Sequence, residues 1–490
     1  MLQVQEIKRI IEKEKTSSFQ REARVGQNYY DGHNDIEKYK LFYYDSNGNL
    51  VEDKTRSNIK ISHSFFKELV DQLVQYMLSG TEGYVFSNKP ELQEKLDEQF
   101  NHNDDFNSEI YDLIEGVSIK GSEYMYLYKD RDEKLKFEVA DSLGIAEVRA
   151  RDTSDNCDYV VRWYVDRFDK DGEPIRKIEV WDKEATTFFI EEGDKGIKLD
   201  ENVKINPRPH ILTVNLSDGK MFGSGFGYIP FFRMDNNKKR VSDLNLVKSL
   251  IDDYDLMNCS LSNNLQDLTE GIFAVKGFEG DSLEELINNV KTKKMIGIAE
   301  GGDIDIKTVD IPYEARKIKM EIDEENIYRF GFGFNSSQVG DGNITNIVIK
   351  SRYALLDLKC NKLEIRLKQF MRKILKIVLA EINDQNEADY QMNQVYFQFD
   401  HEIMSNALEN AQISLIDAQE QQARINTLMS LATQLGDKLL MQNICDVLEL
   451  DYSEVKDMLP DPDEADNSID GAVADSLIKI VGVFWLEASI

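Results

Sequence analysis

Hydrophobic residues recur at helical spacing over most of the first 125 positions. Ile7, Ile10 and Ile11 open a stripe near the start. Phe65, Leu69, Leu73, Val74 and Met77 predict a helix that begins after Ser62 or Ser64 and stops before Gly80. Ile110, Leu113, Ile114 and Val117 predict another, closed by Gly121. From about Glu123 to Val214 the period changes to two. Tyr124–Tyr128, Leu135–Val139, Tyr159–Val165, Ile175–Trp181 and Thr187–Ile190 read as strands, with turns at Asp171-Gly172 and Gly193–Gly196. This makes the stretch a mainly antiparallel β region. Gly223–Phe232 then predicts a turn leading into a helix from about Ser242 to Leu268. Its expected apolar face is Leu246, Leu250, Tyr254, Met257, Leu261, Leu265 and Leu268. Asp243, Lys248, Asp252, Asp253, Asp255 and Asp267 lie opposite. Residues 271–312 read as a small α/β unit, with strands Ile272–Val275, Met295–Ile298 and Ile304–Val309 and a short helix Ser282–Val290.

The stretch from Tyr313 to Asp384 predicts a helix after Pro312, a loop over 331–345 and a long helix from about Asn346 to Ile382. Leu355, Leu358, Ile365, Phe370, Ile374 and Val378 mark the long helix. The loop holds Gly331, Gly333, Asn335, Ser336, Ser337, Gln338, Gly340, Asp341, Gly342 and Asn343. Such side chains bury little, so the loop is expected to be mobile. Alone, it reads equally as a surface connection or as something specialised. A strand over Gln394–Phe399 and helix from 402 to about 459 follow. The Ala-, Gln- and Glu-rich part, Glu402–Leu431, suits self-association or a solvated face equally well. Asp461–Asn467 is an acidic linker, and Gly471–Ile490 is more apolar than a free tail should be.

Composition narrows the function. The 490 residues are 41% hydrophobic and 30% charged, as in a globular protein of two or three domains. The 59 Lys and Arg against 90 Asp and Glu leave a net charge of −31, which repels free nucleic acid over most of the surface. Unlike most of the chain, the 271–312 unit is locally basic, at Lys291, Lys293 and Lys294. Four dispersed cysteines without a C-x-x-C pair argue against a zinc site or disulfide framework and suit a reducing compartment. The amphipathic N-terminus does not read as a signal peptide. No apolar run approaches the ~20 residues of a membrane span. Asp45–Asn49 alternates oxygen ligands but has Leu50 where a calcium loop needs glycine. A hairpin between Phe42–Tyr44 and Leu50-Val51 is therefore expected. No catalytic motif is found, and the histidines are scattered at 33, 63, 102, 210 and 401. The sequence predicts no enzyme, cofactor or metal site. Asp252-Asp253 or Asp461–Asp466 leaves a metal-dependent nuclease as a distant alternative.

The order of these parts, with several local patterns, resembles the portal proteins of tailed double-stranded-DNA bacteriophages, in the branch of long-tailed phages of Gram-positive hosts. The patterns are Gly227-Tyr-Ile-Pro-Phe-Phe232, Ser242–Asp255, Ile327–Gly333 and Ser351–Asn361. The resemblance implies an α+β, predominantly helical portal-type fold assembling as a ring, usually dodecameric, at one capsid vertex. Residues 1–238 would form the wing, 239–269 and 313–330 the stem, and 270–312 the clip. Residues 331–345 would form the tunnel loop, 346–402 a long wing helix and strand, and 403–467 the crown; the role of 468–490 is open. Implied partners are further copies of the chain, double-stranded DNA passing non-specifically, the terminase large subunit, scaffold and major capsid proteins, and a head-completion or adaptor protein. No membrane is involved, and assembly would take place in the host cytoplasm. A non-portal structural ring is the nearest alternative.

Overall fold

The computed structural model describes residues 2–448 except 46, 55, 81–82, 131–133, 150–156, 194–195, 215–220, 268–271, 279–281, 283–297, 308–311, 336–345, 400, 402–406 and 432–436. The chain divides into two units. One comprises residues 1–342 and 350–403, the other residues 343–349 and 404–490.

The first unit begins with α1 (Val4–Lys15) and α2 (Ser18–Tyr30), followed by the hairpin β1 (Phe42–Tyr44) and β2 (Leu50–Glu52). The hairpin is the one expected. Asp45 closes it with its carboxylate, accepting from the backbone N–H groups of Asn47 and Asn49, each at 2.8 Å. Next come α3 (Phe65–Met77), β3 (Val85–Ser87), α4 (Pro90–Leu96) and α5 (Asp104–Lys120). Helix α5 ends as the sequence predicts, with Gly121 at φ 88°. That left-handed conformation suits glycine.

Strands β4 (Ser122–Lys129), β5 (Leu135–Ala140), β6 (Ile145–Arg149), β7 (Cys157–Phe168), β8 (Pro174–Trp181), β9 (Ala185–Glu192) and β10 (Ile197–Leu199) follow. After them come β11 (Arg208–Pro209), β12 (Ile211–Val214), β13 (Met221–Ser224) and β14 (Phe231–Asp235). Every pairing among these strands is antiparallel. One sheet runs β10-β9-β8-β7-β6, with β11 on β9, and a second runs β14-β4-β5. Strand β4 is buried on both faces. Its period of two sends Tyr124 and Tyr126 toward Trp181 and Val160, while Met125 and Leu127 join the main core. Ile7 and Ile11 of α1 cover the other sheet at Val161, Ile178 and Phe189.

The region before Ser242 corrects the expectation of a plain turn. Met221–Ser224 and Phe231–Asp235 are strands, and Phe231 sits opposite Tyr126 in the β14–β4 register. A 3-10 turn (Asp243–Leu246) then leads into α6 (Lys248–Asp267). Its apolar face is also corrected. The fully buried side chains are Val247, Ile251, Asp255 and Cys259; of the expected face Leu250 and Tyr254 pack partly buried against the main core, whereas Leu246 and Leu265 are exposed. Beyond it, β15 (Ile272–Phe278) pairs with β16 (Ile298–Lys307). One strand therefore reaches from Ile298 to Lys307, across the gap expected before Ile304; all of the expected helix Ser282–Val290 but Ser282 itself, and most of Met295–Ile298, lie outside the described residues.

Helices α7 (Tyr313–Gly331) and α8 (Asn346–Asn386) follow, then β17 (Val395–Phe397), which pairs with β3. Helix α8 buries Leu356, Cys360, Leu363, Leu367, Phe370, Ile374 and Val378 in the main core. Its early stripe is thus one position away from the expected one, and Leu355, Leu358 and Ile365 are exposed. The second unit contains α9 (Ala407–Ser430) and α10 (Asp437–Val447), the latter burying Leu440, Ile444 and Cys445. Everything after residue 448 lies outside the described residues. Among the described residues no helix is long and apolar enough to cross a membrane.

Candidate functional site: the base of the 331–345 loop

Helix α7 ends against α3. Phe332 takes a left-handed conformation at φ 63°, and the N–H groups of Phe332 and Gly333 both point to the Tyr328 carbonyl. The two flanking glycines serve close packing here. A Cβ at Gly331 would lie 2.5 Å from Leu69 Cδ1, and one at Gly333 would lie 2.2 Å from Leu69 Cδ2. Both are inside van der Waals contact, so Leu69 can seat only where those side chains are missing. Gln72, one turn further along α3, clamps the next residue. It donates to the Phe334 carbonyl and accepts from the Phe334 N–H, both at 2.8 Å. Tyr328 donates to Glu68 Oε2 at 2.6 Å, and Asn335 Nδ2 donates to Glu324 Oε1 at 3.1 Å. Burial, with the Glu68 carboxylate beside it, pushes the Tyr328 phenol well above its usual range.

The other end of the loop returns to the same place. Tyr353 on α8 stacks on Phe334 at 5.0 Å and 12°, and on Tyr76 of α3 at 5.6 Å. Tyr76 in turn meets the His401 ring at 5.0 Å. One aromatic column therefore ties the loop's departure, its return and the chain after β17. Of the ten loop residues singled out in the sequence, Gly331, Gly333 and Asn335 lie in this base; Ser336, Ser337, Gln338, Gly340, Asp341, Gly342 and Asn343 lie outside the described residues. So do Lys291, Lys293 and Lys294.

Helices α6 and α7 pack on each other. Lys319 of α7 bridges Asp253 of α6 and the buried Asp323 of its own helix. Helix α6 is also fastened on another side, in a way sequence reasoning missed. The extended chain before α3 runs along it, and three side chains one turn apart each accept an N–H from alternate residues. Asp255 Oδ1 accepts from His63 N–H at 3.1 Å, Cys259 Sγ from Ile61 N–H at 3.2 Å and Asn263 Oδ1 from Ile59 N–H at 2.6 Å. The match is geometric: four helical residues rise about 6.0 Å and two extended residues about 6.6 Å. Asp255 is fully buried and also accepts from His63 Nδ1 at 2.7 Å and Asn34 Nδ2 at 2.6 Å. With Nδ1 donating, His63 Nε2 is free to accept from Asn258 Nδ2 at 2.9 Å. The only sequence signal was an Asp in register with Val247, Ile251 and Cys259.

His210, one of the scattered histidines, stacks between Trp181 and Phe226 at 5.4 Å each. Among the described residues no cluster of His, Cys, Asp and Glu has a metal-holding arrangement.

The profile of the family described as "Phage portal protein, SPP1 Gp6-like" matches residues 9–437. The portal protein of Bacillus phage SPP1 is 26% identical over 367 residues, covering 74% of this chain and 71% of that protein. The portal protein of Clostridium phage phiCD119 is 26% identical over 412 residues, covering 80% of this chain and 85% of that protein. The match runs from α1 to the start of α10 and includes the α6–hairpin–α7–loop–α8 succession. The chain belongs to the phage portal proteins of the SPP1 Gp6-like family.

Proposed function

We propose that the chain assembles as a ring, a dodecamer by analogy with its family, whose axial channel passes double-stranded DNA during packaging and ejection. Portal proteins are structural components of the virion, and this chain is one of them. In this reading residues 1–238 form the wing, 239–269 and 313–330 the stem, 270–312 the clip, 346–402 the long wing helix and strand, and 403–467 the crown. Residues 331–345 project into the channel as the tunnel loop. Assembly takes place in the host cytoplasm with scaffold and major capsid protein. The terminase large subunit docks during packaging, and a head-completion or adaptor protein replaces it.

The observation that carries this reading is the antiparallel α6–α7 pair, with the β15–β16 hairpin between the two helices in the chain and the base of the loop at the C-terminal end of α7. Such a rod presents one end to a docking partner and the other to an axis. The chemistry agrees. Each phosphate neutralised along a channel adds affinity that must be broken as DNA advances, so an acidic protein with neutral Asn, Ser and Gln side chains in its loop slides rather than grips. Lys291, Lys293 and Lys294 suit an acidic docking partner, and reversing their charge should abolish motor docking while rings still form. Negative-stain microscopy of the purified protein tests the assembly: rings with an axial hole are expected, and compact monomers overturn it. Deleting Gln338–Asn343 tests the loop. Rings should persist and packaging fail; normal packaging would reduce the loop to a connection.

A further inference from the structure

Helix α8 breaks the charge pattern of the chain. Between residues 346 and 380 nine Lys and Arg stand against Asp357 and Glu364 alone, in a protein of net charge −31. Some of these cations are used within the subunit. Lys359 pairs with Asp243 and Lys368 with Glu364. Lys362, Arg366, Arg372, Lys373 and Lys376 make no ion pair with any described residue. They share the outward side of the helix with Leu355, Leu358 and Ile365, which are 38%, 51% and 60% exposed. An apolar half followed by a cationic half is a poor match to water and a good match to a protein surface that is itself apolar and acidic.

The same unit carries a complementary surface. Between α5 and β5 an open cavity of about 310 Å³ is lined by Glu109, Asp112, Glu115, Glu138 and Asp141 around Ile119 and Val139. Among the described residues these carboxylates make two ion pairs, Asp141 with Lys120, which also lines the cavity and bridges to the buried Glu123, and Glu138 with Arg162 at 3.5 Å. Desolvation first, and the neighbouring carboxylates Asp112, Glu138 and Asp105 after it, push the Glu109 pKa up.

We propose that the outward face of α8 docks on a second copy of this chain, with Arg372, Lys373 and Lys376 entering the acidic groove between α5 and β5 of that copy. Two different patches meet in such a contact, so it is heterologous, and a heterologous contact closes into a ring when its rotation permits. The inference rests on the ring reading above and adds which surfaces make the joint. Packaged DNA is the other polyanion the helix could meet, but Leu355, Leu358 and Ile365 beside the cations favour protein.

The test uses charge reversal in the full-length chain, read by negative stain and native mass spectrometry. R372E/K373E/K376E alone, and D112K/E138K alone, should each lower the ring fraction at least tenfold with far-UV circular dichroism unchanged. An equimolar mixture of the two should recover rings. In that mixture each reversed helix meets only a reversed groove and each native helix only a native groove, so the rings alternate strictly. Rings from R372E/K373E/K376E at the wild-type level would overturn the proposal. So would a mixture that stays dissociated, which would remove the α5–β5 groove as the mate. Reversed-helix rings that assemble normally but retain less DNA would assign the face to DNA instead. Wild-type protein that forms open chains would overturn the closed ring, while the mixing result still decides the joint. Wild-type protein that stays monomeric overturns both.

Discussion

Asp255 gives the sharpest quantitative prediction. Its carboxylate is fully buried and accepts three hydrogen bonds, from His63 N–H, His63 Nδ1 and Asn34 Nδ2. In Asp255→Ala all three donors lose their acceptor. Each buried unsatisfied donor costs about 1–3 kcal/mol, and water entering the vacated space offsets part of the sum. An expected destabilisation of about 3–5 kcal/mol follows, a large part of the ~5–15 kcal/mol available to a folded domain. Asp255→Asn keeps one oxygen for the His63 donors and loses the charge assistance, so about 1–2 kcal/mol is expected.

The same line of contacts supplies its own control. Asn263 makes the equivalent bond to Ile59 N–H, but Ile59 is exposed, and that N–H can turn to water. Asn263→Ala should therefore cost less than about 1 kcal/mol. Urea denaturation with an unchanged m-value measures the series, and amide hydrogen exchange at Ile59, Ile61 and His63 locates it. Asp255→Ala should release all three amides, whereas Asn263→Ala should release Ile59 alone. Equal costs for the two alanine variants, or retained protection at His63 in Asp255→Ala, would refute the claim that the buried carboxylate fastens α6.

Three further outcomes are expected. Gly333→Ala, whose Cβ would fall 2.2 Å from Leu69 Cδ2, should cost about 1–3 kcal/mol, and Leu69→Ala in the same chain should recover part of it; a thermal melt checks both. A double-mutant cycle of Phe334→Leu and Tyr353→Leu should give a coupling of about 0.5–1.5 kcal/mol, and zero coupling would count against the stack as the clasp of the loop. Burial lowers the His210 pKa, so the folded protein takes up this proton less readily than the unfolded chain. Its contribution to stability is whole above about pH 6.5 and is lost as the pH falls below that value. His210→Phe should flatten the stability profile between about pH 7 and 5, measured by urea midpoints.

How much of this was legible depended on whether a helix had one apolar face or two. Helix α3 has one, with Leu69, Leu73 and Val74 between sharp ends, and its boundaries were plain in the sequence. Helix α6 has two candidate stripes one position apart. The leucine stripe through Leu246 and Leu265 looked stronger, yet the stripe through Val247, Ile251, Asp255 and Cys259 is buried, because Asn34 and His63 arrive from far away in the chain to satisfy Asp255. No periodicity argument contains those partners, and an Asp without them would belong in water. Helix α8 repeats the ambiguity: Leu356, Cys360 and Leu363 face the core, and Leu355, Leu358 and Ile365 do not. A helix that is apolar on both sides in one subunit has a second side to cover. The stripe that failed to predict the core of this subunit is the one the assembly reading needs, since its leucines sit beside the cations that pair with no described residue. A sequence records both surfaces with the same letters, and only the fold separates what one chain buries from what it leaves for the next.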